Sequence, residues 1–400
     1  VDEGAVVKTN GEFKVTEKID KMVVPQTIND VLMARIDRLD ADTRELVKVA
    51  SVIGRSFFYR ILNEVAKTIH EIDNRLAHLK QIELIREQKR MEELEYLFKH
   101  ALAQEAAYES ILSQRRKELH LKIADAIERI FQERLHEFYG ILAYHYSSGD
   151  NLDKAENYML KAGEEALKAS ASNEALHYYQ KAMALYVNKH GEALDKHKLA
   201  NMEENIAYAF LNKGFYAESV DYFDRAAIHR GEKINRKMIV IIPQFLMHMA
   251  LILRHLYFPA IRRKKIPTET DKQIMQKTMK TATAISQVDV KRCLVENIRS
   301  ASHGFKYDIS SSQAYFNLLV GSGLLFSASG LSLSLTKRFL EYCRKSVSDK
   351  DPDVLLYLYK CAKLIHSYYI GNWKEKLNNK SIMEALNVGD FFFGTGQLLY

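Results

Sequence analysis

Cysteine is scarce in this 400-residue chain. Cys293, Cys343 and Cys361 stand far apart with no C-x-x-C spacing, which gives no pattern for a zinc site or a disulfide framework and fits a reducing, cytoplasmic setting. With 5 prolines and 17 glycines the chain also has few of the breakers that a β-rich protein needs at its turns, so the expected fold class is mostly α. Excess charge of one sign is small. The 58 basic and 51 acidic residues leave a net charge of +7 and are mixed along most of the helical segments, whereas a nucleic-acid footprint needs clustered cations. The first residues, VDEGAVVKTNGEF, lack the basic and apolar regions of a signal peptide and do not begin with Met, so the chain reads as an internal segment of a longer protein.

Long apolar runs are missing too. The longest, residues 238–261, is interrupted by Pro243, Gln244, His248, Arg254, His255 and Pro259, and falls short of the roughly 20 apolar residues that cross a bilayer. No transmembrane span is expected; the run reads as a buried solenoid helix. Arg262, Arg263, Lys264 and Lys265 after it read as a solvated loop, with a patch for a membrane surface or an acidic partner as the alternative. Catalytic motifs are absent as well. There is no G-x-x-x-x-G-K-[ST], no H-E-x-x-H and no G-x-S-x-G, and no cysteine has a matched histidine pattern. Gly321, Ser322 and Gly323 lack the Lys-Ser/Thr of a phosphate loop and read as close helix packing. No catalytic residue, metal site or cofactor is therefore assigned to the chain itself.

What is present falls into three parts: residues 1–40, 41–135 and 136–400. Residues 5–15 alternate around Asn10-Gly11, the strongest short hairpin signal. A helix follows over residues 24–39, with Thr27 as its cap, an apolar face through Ile28, Val31, Leu32, Ile36 and Leu39, and Arg35 and Arg38 beside that face. Those arginines solvate the helix or pair with Asp37 and Asp40, unless they serve a ligand. Next, Asp42 with Glu45 caps a helix with a stripe of Leu46, Val49, Ala50 and Ile53, ended by Gly54. A second helix covers about residues 60–66. A third opens at Thr68 with Glu71 and turns Ile72, Leu76 and Leu79 inward. Strands near residues 84–87 and 94–98 flank a charged tip, QKRMEE. The third helix has no basic face for phosphates.

At Tyr96, Leu97 and Phe98 a strand hands over to a helix at His100, preceded by Lys99. A histidine at such a junction either donates from its ring to a carbonyl or stands ready for a ligand. A linker helix spans residues 114–133, with Leu119, Ile123, Ile127 and Ile130 inward; its start, Arg115, Arg116 and Lys117, opposes the helix dipole and calls for a nearby acid or anion. From Phe138 the order Gly149, Ala155, Met159, Ala162 follows the tetratricopeptide (TPR) pattern. It returns at Ala175, Tyr179 and Ala182, at Gly214, Ser219, Phe223 and Ala226, and in residues 357–377. The first steps, about twenty and then forty-four residues, depart from the period of thirty-four, so the solenoid is irregular.

The strings VPQTINDVLMARIDRLD, FKHALAQEAAY and RRKELHLKIADAIE resemble the corresponding part of STAND-type signal-transduction ATPases, most like those fused to class III adenylate cyclase domains. The resemblance implies a small winged-helix domain followed by a TPR-like α-solenoid. Residues 1–40 would be the end of an ATPase module, 41–135 the winged helix with its linker, and 136–400 the repeats. It further implies a cytoplasmic regulatory segment whose parent protein binds ATP or ADP with Mg²⁺. There Arg35, Arg38, Lys99 and His100 would sense the nucleotide state of an upstream ATPase or cyclase domain, and the repeats would receive a protein partner. His100 corresponds to the histidine of a methionine-histidine-aspartate motif in related switch ATPases, which touches the nucleotide diphosphate; here Lys99 precedes it and Ala101 follows. A plain TPR interaction scaffold and a transcription regulator of the repeat-containing ATPase type are the alternative readings.

With the phosphate loop and its metal-holding acids missing, the 400-residue chain is expected to show no ATP hydrolysis and no cyclic nucleotide formation with Mg²⁺. Turnover that a point substitution within these residues abolishes would refute this.

Overall fold

The computed structural model describes residues 6–9, 12–15, 28–191, 193–232, 234, 238–258, 264–348 and 353–372. These are mostly helical, and they divide into two compact units. One comprises Val1–Ala169 and His177–Lys189, the other Ser170–Leu176 and His190–Tyr400.

The first unit opens with a hairpin of β1 (Val6–Thr9) and β2 (Glu12–Val15), paired antiparallel from Val6↔Val15 to Thr9↔Glu12. The expected turn residues Asn10 and Gly11, and the expected cap Thr27, lie outside the described residues. Helix α1 (Ile28–Asp37) is followed by α2 (Ala41–Ile53), β3 (Ser56–Phe58), α3 (Tyr59–Val65), α4 (Ile72–Gln81), β4 (Ile85–Arg90), β5 (Glu93–Phe98), α5 (Ala101–Glu109) and α6 (Ser113–Ile130). Strand β5 is central in a three-stranded antiparallel sheet of order β3-β5-β4. The short strand β3 escapes periodicity because three residues carry no alternation; it is held by Phe57, whose ring lies 5.9 Å from Tyr96 and 5.7 Å from Phe98. The expected charged tip is itself strand. Pairing runs to Arg90↔Glu93, and Met91 and Glu92 both take positive φ, 54° and 61°, as a two-residue hairpin turn requires.

Two expected caps are corrected. Helix α2 is capped by Asp40, whose carboxylate accepts from the Thr43 N–H at 3.1 Å, and not by Asp42. Arg75 of α4 holds both carboxylates: it bonds Asp40 and the Thr43 hydroxyl (2.7 Å) through one nitrogen and Asp42 (2.9 Å) through another. Hydrogen bonds from Thr43, then Arg75, hold the Asp40 carboxyl down at about 2. Helix α4 starts after Glu71 rather than at Thr68, because Glu71 takes the left-handed conformation (φ 57°) and its side chain accepts from Asn74 instead of capping. The predicted apolar stripes hold, with Leu46, Leu76 and Leu79 in a core that also takes Phe98, Ile123 and Ile127.

After α6 a 3-10 segment (Gln132–Phe138) leads to α7 (Tyr139–Ser148), α8 (Leu152–Lys168) and α9 (Ser172–His190), which contributes to both units. The second unit continues with α10 (Lys196–Asn212), α11 (Tyr216–His229), α12 (Met238–Tyr257), α13 (Glu269–Val288), α14 (Val290–Gly304), α15 (Gln313–Ala328), α16 (Leu333–Ser346) and α17 (Asp353–Tyr369). Among the described residues beyond 140, the only β feature is one isolated bridge, Lys265 to Tyr307.

One device ends several helices. Asp150, Gly214, Gly231 and Gly371 all take positive φ, and the N–H of the next residue reaches back to a carbonyl five residues earlier: Asn151 to Tyr146, Phe215 to Phe210, Glu232 to Ala227, Asn372 to Ser367. Such a six-to-one bond satisfies carbonyls that a helix end orphans and reverses the chain. Helix hairpins α7/α8 and α10/α11 follow from it, and the predicted repeat positions Ala155, Ala162, Ala175, Tyr179, Ala182, Ser219 and Ala226 are buried. Charge ties the second unit together. Arg292 on α14 grips Asp224 on α11 with two bonds of 2.8 and 2.6 Å. Burial opposes the charge on Glu204 of α10, but bonds from Arg230, Tyr208 and Lys277 more than offset it and hold that carboxyl below the usual range.

Helix α12 corrects another expectation. Ile252 and its neighbours pack inward, but one side stays open, because α14 and α16 cover only part of its circumference.

Gly321 and Gly323 on α15 separate packing from propensity. A Cβ on Gly323 would stand 2.5 Å from the Phe339 Cβ, whereas one on Gly321 meets nothing within 4 Å. Gly323→Ala is expected to lower stability by about 1–3 kcal/mol, and Gly321→Ala to raise it by about 0.5–1 kcal/mol. Thermal melting of both variants checks the opposite signs.

Candidate functional site

Two of the expected sensing residues, Arg35 and Lys99, meet in the first unit at the turn of Ile82, Glu83 and Leu84, which joins α4 to β4. Arg35, exposed on α1, donates to the Ile82 carbonyl at 2.9 Å. Lys99 pairs with Glu83 at 3.0 Å, and its backbone N–H donates to the Leu84 carbonyl at 3.0 Å. Glu83 takes positive φ (59°), which turns its side chain out to meet Lys99. His100 is the next residue. It is exposed and extended (φ −119°, ψ 127°), and its carbonyl accepts from Ala103 at the start of α5.

Its ring has no hydrogen-bond partner among the described residues. Helix α1 packs against α5, and the Gln104 amide of α5 donates to the Ser51 carbonyl of α2 at 2.7 Å, which fixes α5 and with it His100. Arg38 is also exposed, one turn beyond Arg35 on the same stretch of chain. The arrangement therefore offers an imidazole, an ammonium and a guanidinium whose one carbonyl bond leaves further donors for an anion.

A second polar cluster lies inside the same unit, and no sequence pattern signals it. His120 on α6 and His145 on α7 face each other, Nδ1 to Nδ1, at 2.8 Å, and the Tyr108 hydroxyl of α5 lies 3.1 Å from His120 Nε2. Both rings are almost fully buried. Only one of the two Nδ1 atoms can carry the proton between them. Burial, reinforced by Arg116, pushes His120 below the usual imidazole value, and burial together with its neighbour does the same to His145. His145 Nε2 has no hydrogen-bond partner, and the Ile53 carbonyl is the group that favours a proton on that ring. The basic start of α6 finds its expected acids: Arg115 meets Glu118 at 3.4 Å and Glu45 at 3.7 Å, and Lys117 meets Asp150 at 3.1 Å. Arg116 lies over the Tyr108 ring at 4.9 Å.

The cysteines are not poised for chemistry. All three are buried and free, and burial pushes the Cys343 thiol up to about 12. Among the described residues no group of three or more His, Cys, Asp or Glu is placed to hold a metal ion. No protein-family model matches the chain, and neither a curated protein nor a solved structure matches it.

The imidazole pair carries a pH prediction. Unfolded histidines take up protons below about 6.5 while these two stay neutral, so the unfolded state binds more protons and stability falls with falling pH. The pair is expected to contribute up to about 1.4 kcal/mol per pH unit for each ring below that value. Replacing both by Gln should flatten this part of the stability profile between pH 6.5 and 4.5, measured by denaturant unfolding; an unchanged slope would refute it.

Proposed function

We propose that the chain is a cytoplasmic regulatory and protein-interaction segment of a nucleotide-switched signalling protein, of the STAND ATPase type associated with adenylate cyclases, and non-catalytic by itself. The observation that carries this reading is the meeting of Arg35 and Lys99 at one turn, from segments 64 residues apart in sequence, with His100 next in the chain and exposed. The chain order helix, strand, two helices, strand, strand, with sheet order β3-β5-β4, supports a winged-helix reading of residues 41–98. The α7/α8 and α10/α11 hairpins support TPR-like repeats that receive a protein partner. In this reading ATP or ADP, with Mg²⁺, is held by an upstream module, and the cations described here meet its phosphates. Groove reading of DNA by α4 has little support, because Arg75 is occupied by Asp40 and Asp42, and Lys80 by Glu87. No helix among the described residues is long and apolar enough to cross a membrane.

The test uses a protein in which the ATPase module precedes this chain. Losing a charge-assisted bond from His100 to phosphate should weaken ADP binding by roughly ten- to a hundredfold in His100→Ala, equivalent to about 1.5–3 kcal/mol. The exposed ring makes no bond among the described residues, so melting of the isolated chain is expected to stay unchanged. Unchanged ADP affinity would remove His100 from the switch.

A further inference from the structure

Helix α12 turns one side into the second core, where Phe245, Met249, Ile252 and Leu256 meet neighbours from α14 and α16. At 100° per residue these positions fall within one arc, and the opposite arc of roughly 200° is open. That open arc carries Ile242, Pro243, Leu246, Met247, Ala250, Leu253 and Tyr257, all exposed, with Gln244 and Arg254 as its only polar members. Leu246 is 60% exposed and Met247 53%, and Phe258 just beyond the helix is 76% exposed. Isolated exposed apolar residues are ordinary, but a contiguous face of this kind marks an interaction surface.

Charge narrows the occupant. From residue 233 to residue 268 the sequence contains no Asp or Glu, while it holds eight Lys and Arg: Lys233, Arg236, Lys237, Arg254, Arg262, Arg263, Lys264 and Lys265. Beyond the helix, Lys264, Lys265 and Ile266 are exposed. They are held beside the segment after α14 by the Lys265 N–H to the Lys306 carbonyl (3.1 Å) and the Asp308 N–H to the Lys265 carbonyl (2.8 Å). Arg338 of α16 lies over the Tyr257 ring at 4.9 Å. A second copy docked face to face would bring two acid-free, cationic segments together with nothing to pair them. An apolar face edged by aromatic residues, with cations in the flanking sequence, matches instead the boundary between acyl chains and anionic headgroups.

We propose that α12 is a membrane-surface element that lies flat on an anionic lipid bilayer. Its open apolar arc enters the acyl boundary, and Arg254 and Lys265 meet the lipid phosphates and carboxylates, while the Lys264 ammonium is held by the Tyr342 hydroxyl of α16 at 2.5 Å. Twenty residues in a helix span about 30 Å along such a surface.

Flotation of the full chain with vesicles tests this, using phosphatidylcholine alone and phosphatidylcholine with about a quarter phosphatidylserine. Binding to the anionic vesicles is expected to exceed binding to the neutral ones by about tenfold or more and to fall in high salt. The double variant Leu246→Glu, Met247→Glu should lose about tenfold or more of that binding, with its melting unchanged because both side chains are more than half exposed. The variant Arg254→Ala, Lys265→Ala should weaken binding to anionic vesicles alone. Equal binding to both vesicle types, no binding to either, or full binding by the Glu variant would overturn the proposal. So would a dimer that the Glu variant dissociates, or capture of a synthetic acidic amphipathic peptide in place of vesicles.

Discussion

Strand β5 is hydrogen-bonded along both edges, to β3 through Ser56↔Leu97 and to β4 through Ile85↔Phe98, and the first unit takes its form from that double pairing. A strand held on both sides cannot slip by one residue without turning its whole buried set outward. Phe98 is therefore fixed in the core, and Lys99 and His100 must emerge at one defined place, beside the turn that closes α4. Glu95 on the same strand is buried, and its carboxylate is served by Gln88 at 2.5 Å and Arg90 at 3.5 Å from β4. The exposed edge is β4, whose sequence IREQKR is charged enough to discourage pairing with another chain.

The helical region relies on a different constraint. Each helix end leaves carbonyls without partners, and the left-handed residue after the helix supplies the N–H that satisfies them. Where that residue is glycine, as at Gly214, Gly231 and Gly371, the conformation carries no Cβ penalty; at Asp150 it is a short polar residue that tolerates it. Reversal at each hairpin is thus local, while the fit between hairpins is not. It rests on small residues such as Gly163 against the Tyr179 ring, and on ion pairs such as Asp224–Arg292, which bind helices far apart in sequence.

Two surfaces of different chemistry result. The turn around Glu83 presents cations on a small mixed α/β scaffold, suited to an anionic ligand held from outside the unit. Helix α12 presents hydrocarbon instead, in an acid-free stretch of chain, suited to an anionic interface of larger extent. Each carries the proposed role of its own unit, nucleotide sensing in one and membrane attachment in the other. Between the helices of the first unit, the His120–His145 pair keeps a proton in a site with no competing acid, so its state depends on the packing that buries it.

Periodicity alone determined the mostly helical class and the inward stripes of α2, α4 and α6, because burial on one side of a helix imposes a spacing that any chain must write into its residues. Gly54 marked the end of α2 for the same local reason. The strand β3 was not legible, since three residues show no alternation and only Phe57 between Tyr96 and Phe98 makes them a strand. Nor was the cap of α2: the pair Asp42 and Glu45 pointed to Asp42, whereas Asp40 accepts from the Thr43 N–H in the folded chain. The apolar length of α12 could be read, but not which side is covered, because that depends on where α14 and α16 fall around it. The meeting of two imidazoles twenty-five residues apart, and of Arg35 and Lys99 at one turn, exists only once the chain has packed, since a contact between distant residues leaves no period in either segment.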